Sequence, residues 1–226
     1  MDIGLVIVFS TAATFLFSFL AYVIIQNKYP DFFPLWYTWD AQHYIKIAKE
    51  WYTSSTVNDQ NVRIVFFPLY PLLIKVASFF TGSYVAAGLL VSNLAFAGAV
   101  VYIYKLAKLD YDEDDSWRTL IYLVIFPTAY FLHAIYTESL FLFLTIASFY
   151  YARRGNWALC GVAGLLACAT RVTGIVLIPA LLVEYLAQRN YKIREVKKDI
   201  FWLGLTVFGF LFYLGINYVT FGDPFK

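Results

Sequence analysis

Runs of apolar residues separated by short polar segments extend along almost the whole chain. A helix needs about 20 predominantly apolar residues to cross a bilayer core of about 30 Å. The first run, Ile3–Ile25, meets that length without a basic segment or a small-residue cleavage site, so we predict a retained helix and not a signal peptide. The whole pattern predicts seven membrane-spanning helices: Ile3–Ile25, Tyr84–Tyr104, Thr119–Ile135, Ser139–Ala152, Trp157–Ala169, Ile175–Ala187 and Ile200–Phe221.

One apolar run, Phe66–Phe80, is predicted not to cross the membrane. It is short, is interrupted by Pro68 and Pro71, and contains Lys75, which together favour an interfacial or re-entrant helix. With the polar and aromatic segment before it, this run forms the largest predicted loop, residues 26–80.

The distribution of Lys and Arg predicts how the chain is oriented. Loops on the cytoplasmic side of short spans are richer in these residues. A cytoplasmic N-terminus gives inner loops with most of the basic residues, namely Lys105, Lys108, Arg118, Arg153, Arg154, Arg189, Lys192, Arg194, Lys197 and Lys198. The loop 26–80 and the turns that contain Glu138 and Arg171 then share the outer face.

Composition argues against a water-soluble protein and against nucleic acid binding. Hydrophobic residues make up 61% of the chain and charged residues 14%, far from the roughly 25% charged residues of soluble domains. The net charge is +2 and the basic residues are spread over short loops, so no nucleic acid partner is indicated. Cys160 and Cys168 stand eight positions apart in one predicted helix and cannot pair there, and two histidines are too few for a His-rich metal centre. The acidic run Asp112–Asp115 is interpreted as a solvated charge run.

Candidate chemistry begins in the outer loop, where residues 35–51 are predicted to form an amphipathic helix in the membrane interface. Asp40 lies near its N-terminal end, with Trp39 beside it and His43 one turn on. A carboxylate there can act on a substrate at headgroup depth. It can equally stabilise the helix start through the macrodipole, typically by about 0.3–1 kcal/mol.

Glu138 and Arg171 stand in two short turns between apolar segments. Ionisable residues at such a depth are candidates for function, although Glu138 also fits a turn that is exposed to water. Arg171 can pair with Glu138 or bind a phosphate in a bidentate manner. A carboxylate, a cation and aromatic rings on one face fit transfer of a sugar from a lipid phosphate to a hydroxyl group.

At these residues the chain resembles the PIG-V-like mannosyltransferases, which belong to the GT-C class of polytopic membrane glycosyltransferases. Four segments carry the resemblance, in this order: Trp39-Asp40-x-x-His43-Tyr44, Phe67-Pro68-Leu69-Tyr70-Pro71, Phe126-Pro127-Thr128-Ala129-Tyr130 through Tyr136-Thr137-Glu138-Ser139, and Arg171-Val172-Thr173-Gly174. The resemblance implies an all-α membrane fold with about seven transmembrane helices and interfacial helices in the first outer loop. The family has further C-terminal helices, so residues 1–226 are expected to be a single transmembrane domain at the N-terminal end of a longer enzyme.

The resemblance also implies an inverting transfer of a sugar, commonly mannose, from a polyprenyl-phosphate donor such as dolichyl phosphate mannose. The acceptor is expected to be a glycan, glycolipid or protein on the extracytoplasmic or lumenal face of the plasma membrane or endoplasmic reticulum. Asp40 would be the catalytic carboxylate, Trp39, His43, Tyr44 and Glu138 would contact substrate, and Arg171 would contact the donor phosphate. No metal and no cofactor beyond the lipid-linked donor is expected.

Two alternatives stay open on the residues alone. A transporter or lipid flippase would use Glu138 and Arg171 as an ion pair along a substrate path. A scaffold subunit would use Asp40 as a helix-start residue and nothing more. The enzyme hypothesis requires Asp40, Glu138 and Arg171 to converge on one outward-facing cavity.

Overall fold

The computed structural model describes residues 2–25, 32–53 and 61–225, and every regular element in these ranges is helical. Residues 26–31 and 54–60 of the predicted outer loop lie outside the described residues. The helices are α1 Ile3–Ile25, α2 Asp40–Glu50, α3 Leu69–Thr81, α4 Tyr84–Ala107, α5 Glu113–Ile125, α6 Tyr130–His133, α7 Glu138–Arg153, α8 Trp157–Cys168, α9 Leu177–Ala187 and α10 Leu205–Phe221. An all-helical fold was predicted, and the described part of the chain agrees.

The chain divides into two compact units. Unit 1 comprises Met1–Trp51 and Pro71–Ser139, and unit 2 comprises Tyr52–Tyr70 and Leu140–Lys226. Glu138 therefore belongs to unit 1 with Asp40, whereas Arg171 belongs to unit 2. Each unit is described by itself.

Within the described ranges, three helical segments are long and apolar enough to cross a membrane: Ile3–Ile25, Tyr84–Ala107 and Lys198–Phe221. A fourth crossing results if Pro127–His133 and Glu138–Arg153, which meet at 90°, are counted as one bent span. The segments Leu69–Thr81, Trp157–Cys168 and Val172–Ala187 are apolar but shorter. The described residues thus support a membrane protein with several spans, and the seven predicted crossings are not confirmed.

The predicted span Thr119–Ile135 is not one helix, because it breaks at Pro127. Proline has no amide hydrogen to donate and restricts the residue before it to extended backbone. Phe126 has a ψ of 135°, and α5 ends at Ile125. The chain then forms a single 3-10 turn, Pro127–Ala129, before the short helix α6.

The acidic run Asp112–Asp115 forms the start of α5. Asp112 is the N-cap and its carboxylate accepts a hydrogen bond from the amide of Asp115 at 2.9 Å. The three acidic residues that follow occupy the first turn, where the helix macrodipole favours negative charge. The side of α5 that faces inward contributes Leu120 to the core of unit 1, with Val6, Phe96 and Val100.

In unit 2, glycines allow α8 and α10 to pack closely. A Cβ atom at Gly209 would overlap the carbonyl oxygen of Leu165, and one at Gly161 would overlap the carbonyl oxygen of Trp202, in the 3-10 segment Lys198–Gly204 that precedes α10. Small residues at such contacts are the usual means by which membrane helices approach each other. Cys160 and Cys168, both in α8, are buried free thiols, in agreement with the prediction that they do not pair.

Candidate active site

The site is built around the start of α2, which begins at Asp40. The predicted helix over residues 35–51 is shorter in the structure, because a 3-10 turn, Phe33–Trp36, is followed by an irregular step at Trp39. Trp39 has a φ of 50°, and a backbone conformation in this region costs a non-glycine residue about 1–3 kcal/mol. Its side chain is 71% exposed. This conformation separates the 3-10 turn from α2, and Asp40 is the first residue of the helix.

α2 is amphipathic, as its sequence predicts. Ala41, Ile45 and Ile47 are buried with Tyr44, whereas the ends of the helix, including Asp40 and Glu50, are exposed. The hydroxyl groups of Tyr44 and Thr137 lie 3.4 Å apart in the buried interior, so α2 is tied to the turn before Glu138.

A cavity of about 870 Å³ lies within unit 1, and both predicted carboxylates line it. Trp39 and Asp40 contribute from the start of α2, and Tyr136 and Glu138 contribute from the turn between α6 and α7. The rest of the wall is mostly apolar or aromatic and comes from α4, α5 and the segment that follows α5: Ile103, Thr119, Tyr122, Leu123, Phe126, Thr128, Ala129, Phe131 and Leu132. The structure thus brings Asp40 and Glu138 to one cavity, as the enzyme hypothesis requires of these two residues.

Tyr136 lines this cavity although the sequence analysis, which quotes it in one segment of the family resemblance, assigns it no site role. Its hydroxyl donates a hydrogen bond to the carbonyl oxygen of Thr38 at 3.2 Å, and it interacts electrostatically with both Asp40 and Glu138. The ring of Phe131 packs edge-on against it at 5.2 Å between centroids and lies 6.5 Å from the ring of Trp39. Its position two residues before Glu138 was the available signal.

The turn that carries Tyr136 is held by a buried network around His133. The Nε2 atom of His133 lies 3.0 Å from the hydroxyl oxygen of Ser10, and its Nδ1 atom lies 2.8 Å from the side-chain oxygen of Asn93. The amide nitrogen of Asn93 donates to the carbonyl oxygens of His133 and Leu89, at 3.1 and 2.8 Å. The network therefore joins α1, α4 and α6 immediately before the turn.

A second, apolar cavity adjoins the first. It has a volume of about 590 Å³ and lies between α1 and the segment around Pro127. Phe126 and Ala129 line both cavities, so the two meet at these side chains. Most of its wall is apolar, with Phe9, Phe17 and Ile125 among the lining residues.

The remaining predicted site residues lie elsewhere. His43 is partly buried on α2 and is not among the described residues that line the cavity with Asp40. Arg171 precedes a 3-10 segment, Val172–Val176, in unit 2, and its guanidinium lies 6.0 Å from the centroid of Phe141. Because Arg171 and Glu138 belong to different units, their predicted convergence stays a prediction.

The described residues contain no group of three or more His, Cys, Asp and Glu side chains that could hold a metal ion. The predictions that the reaction needs no metal and no cofactor stay untested predictions.

Residues 67–216 match the family model described as dolichyl-phosphate-mannose-protein mannosyltransferase. The matched range includes Glu138 and Arg171, whereas Trp39, Asp40, His43 and Tyr44 precede it. The match agrees with the resemblance at the level of a GT-C type mannosyltransferase, and it does not confirm the narrower PIG-V-like assignment. Neither a curated protein nor a solved structure matches the chain.

Proposed function

This chain belongs to the dolichyl-phosphate-mannose-protein mannosyltransferase family, and from that premise we propose that it transfers mannose from a polyprenyl-phosphate donor to an acceptor hydroxyl group. Family membership implies a glycosyltransferase, and the long apolar helices indicate a membrane protein. Membership also favours an enzyme over the transporter or flippase considered above. The observation that carries the finer proposal is the cavity lined by Asp40 and Glu138.

In the proposed reaction Asp40 is the general base. The acceptor hydroxyl loses its proton to the carboxylate of Asp40 while its oxygen attacks the anomeric carbon of the donor. The bond between that carbon and the phosphate oxygen breaks, its electron pair leaves with the lipid phosphate, and the configuration at carbon inverts. A positioned base of this kind typically contributes about 10²–10⁴-fold to the rate.

Asp40 suits this role better than Glu138, because its side chain is exposed at the cavity and no hydrogen bond or ion pair joins its carboxylate to another side chain in the described ranges. Glu138 is half-buried and has further interactions, so we assign it to substrate binding and to orienting the acceptor.

The adjoining apolar cavity supports a lipid-linked donor. A sugar in the larger cavity would lie beside the exposed ring of Trp39, and aromatic rings are suitable surfaces for sugar rings. The first part of an isoprenoid chain would pass Phe126 into the apolar cavity between α1 and Pro127. Burial of apolar chain there is favourable by about 25 cal/mol for each Å² removed from water.

Two parts of the proposal rest on the sequence. Arg171 remains the candidate cation for the departing phosphate, because an arginine binds phosphate in a bidentate manner. The excess of Lys and Arg in the inner loops supports an active site on the extracytoplasmic or lumenal face. The acceptor is a glycan, glycolipid or protein hydroxyl group.

The test compares Asp40→Asn with Asp114→Asn in the full chain reconstituted in lipid, with radiolabelled polyprenyl-phosphate mannose and a panel of acceptors. Asp114 is exposed in the first turn of α5 and does not line the cavity. The Asp114→Asn control therefore makes the same chemical change at a position outside the proposed active site. We expect Asp40→Asn to lower transfer by at least about 100-fold and Asp114→Asn to leave it within about twofold. Membrane insertion should be unchanged in both. Full transfer by the Asp40→Asn protein would rule out the proposed base.

A further inference from the structure

The loop after α9 is strongly basic and has an unusual backbone. Residues 189–198, here called the basic loop, contain five basic side chains and one acidic side chain. Two consecutive non-glycine residues, Asn190 and Tyr191, have φ angles of 50° and 56°. The amide of Tyr191 donates to the carbonyl oxygen of Leu186 at 2.9 Å, so the chain reverses sharply at this point. Strained backbone of this kind persists where the surrounding structure holds it, and it is common at binding sites.

Arg189 holds the loop in place. Its side chain is 12% exposed, and its guanidinium lies 3.6 Å from the centroid of the Tyr185 ring. It donates to a carboxylate oxygen of Asp199 at 3.2 Å and to the carbonyl oxygen of Glu195 at 3.2 Å. These contacts join the two ends of the basic loop, so Arg189 has a structural role in it.

The folded loop forms an open polar pocket of about 450 Å³, lined by Gln188, Arg189, Arg194, Glu195, Val196 and Lys197. Glu195 lies 3.4 Å from the ammonium nitrogen of Lys192, so its negative charge is already compensated. Arg194 and Lys197 are exposed, and neither forms an ion pair within the described part of the chain. The cavity therefore presents two uncompensated cations, which favours an anion.

The surroundings of the cavity indicate that the anion belongs to a lipid. Ile193 within the loop is 82% exposed, and Phe201 and Trp202 just after it are 78% and 46% exposed. Phe201 and Trp202 lie at the start of the candidate span Lys198–Phe221, where aromatic side chains settle at headgroup depth. Basic side chains at that depth attract anionic lipid headgroups.

We propose that the basic loop binds the phosphate of an anionic phospholipid headgroup, with Arg194 and Lys197 as the two cations that contact it. The exposed side chains of Ile193, Phe201 and Trp202 lie among the lipid chains beside that headgroup. This site is in unit 2 and does not depend on the proposed transferase reaction.

The experiment titrates the purified full chain, in a zwitterionic detergent, with short-chain phosphatidylglycerol and follows the midpoint of thermal unfolding. We expect a saturable rise in the midpoint, since a ligand that binds the folded state stabilises it. Short-chain phosphatidylcholine should give no saturable rise. In the Arg194→Gln/Lys197→Gln protein, the concentration for half-saturation should increase by about tenfold or more, since each cation near an anionic headgroup contributes to binding.

Two further variants make the result specific to this site. Lys108→Gln/Arg118→Gln removes the same charge from exposed ion pairs in unit 1 and should leave the titration unchanged. Arg194→Lys/Lys197→Arg keeps both charges and should retain binding. An equal midpoint rise with phosphatidylcholine, an unchanged titration in the Gln/Gln protein, or full replacement of the lipid by inorganic phosphate at the same concentration would overturn the proposal.

Discussion

Two helices of unit 2 pack closely at glycine residues, whereas polar side chains of unit 1 gather where its helices end. In unit 2, α8 lies so close to α10 and to the 3-10 segment before it that Gly161 and Gly209 leave no room for a Cβ atom. In unit 1 the helices are interrupted at Trp39 and at Pro127, and polar side chains gather where they end. Continuous helices bury apolar surface efficiently, whereas interrupted helices expose chain ends that can position catalytic groups.

This difference explains why the cavity lies at broken helices. An unbroken helix satisfies its own backbone hydrogen bonds and directs its side chains into lipid or into the core. A break leaves backbone carbonyl oxygens without helical partners, and two side chains of unit 1 donate to such oxygens: the amide of Asn93 to His133 and the hydroxyl of Tyr136 to Thr38. The same contacts fix the turn from which Tyr136 and Glu138 reach the cavity.

The largest expected effect on stability is at the close helix contact of unit 2. Gly209→Ala places a methyl group against backbone atoms of Leu165 and Ala169, which cannot move aside as a flexible side chain would. We expect a loss of about 2–3 kcal/mol in the free energy of unfolding, measured by reversible denaturation in detergent. Gly215→Ala in the same helix is the matched control, because nothing lies within 4 Å of its added Cβ atom. Equal stability of the two variants would remove the argument for close packing.

A smaller effect is expected at the polar network of unit 1. His133→Leu removes two hydrogen bonds and leaves Ser10 and Asn93 without their partner in the buried interior. We expect a loss of about 2 kcal/mol, because buried hydrogen bonds between membrane helices average only about 0.6 kcal/mol each and unsatisfied groups add a penalty. Mannosyl transfer should also fall, since the turn that carries Glu138 loses its support.

Serine substitutions in α1 give a matched pair for this network. Ser10→Ala removes the hydroxyl that contacts His133, whereas Ser18→Ala removes a hydroxyl that lines the apolar cavity. Ser10→Ala should cost about 0.6 kcal/mol and Ser18→Ala less than that. Identical stability and transfer in both variants would indicate that the network does not support the turn.

The long apolar helices could be predicted from the sequence, because about 20 consecutive apolar residues are enough to indicate a helix that can span a membrane. The prediction for α1 has the same bounds as the observed helix, and the prediction for α4 ends three residues early. Three shorter predicted segments correspond to α7, α8 and α9 within two residues at each end, whereas the predicted span Thr119–Ile135 was wrong as a single helix because Pro127 divides it. Apolar composition around Phe126 and Pro127 did not reveal that α5 ends there.

The candidate site was predictable in part. Asp40 and Glu138 stood out as carboxylates flanked by apolar or aromatic sequence, and the structure places them on one cavity. Tyr136 and His133 were missed because their importance comes from contacts with residues that are distant in sequence, such as Thr38 and Ser10. The roles of His43, Tyr44 and Arg171 stay predictions, because their chemistry depends on a bound donor.

A separate effect is expected at the strained step at Trp39, where the backbone leaves helical geometry immediately before α2. At a φ of 50° glycine is not strained, whereas alanine is, so Trp39→Gly should be more stable than Trp39→Ala by about 1 kcal/mol. Both variants lose the exposed indole ring and should show weaker binding of the donor, seen as a higher KM. If the two variants unfold at the same midpoint, the backbone at this step is relaxed and the start of α2 is not held under strain. If they differ in stability and share the higher KM, the ring acts on substrate and the backbone conformation acts on the fold.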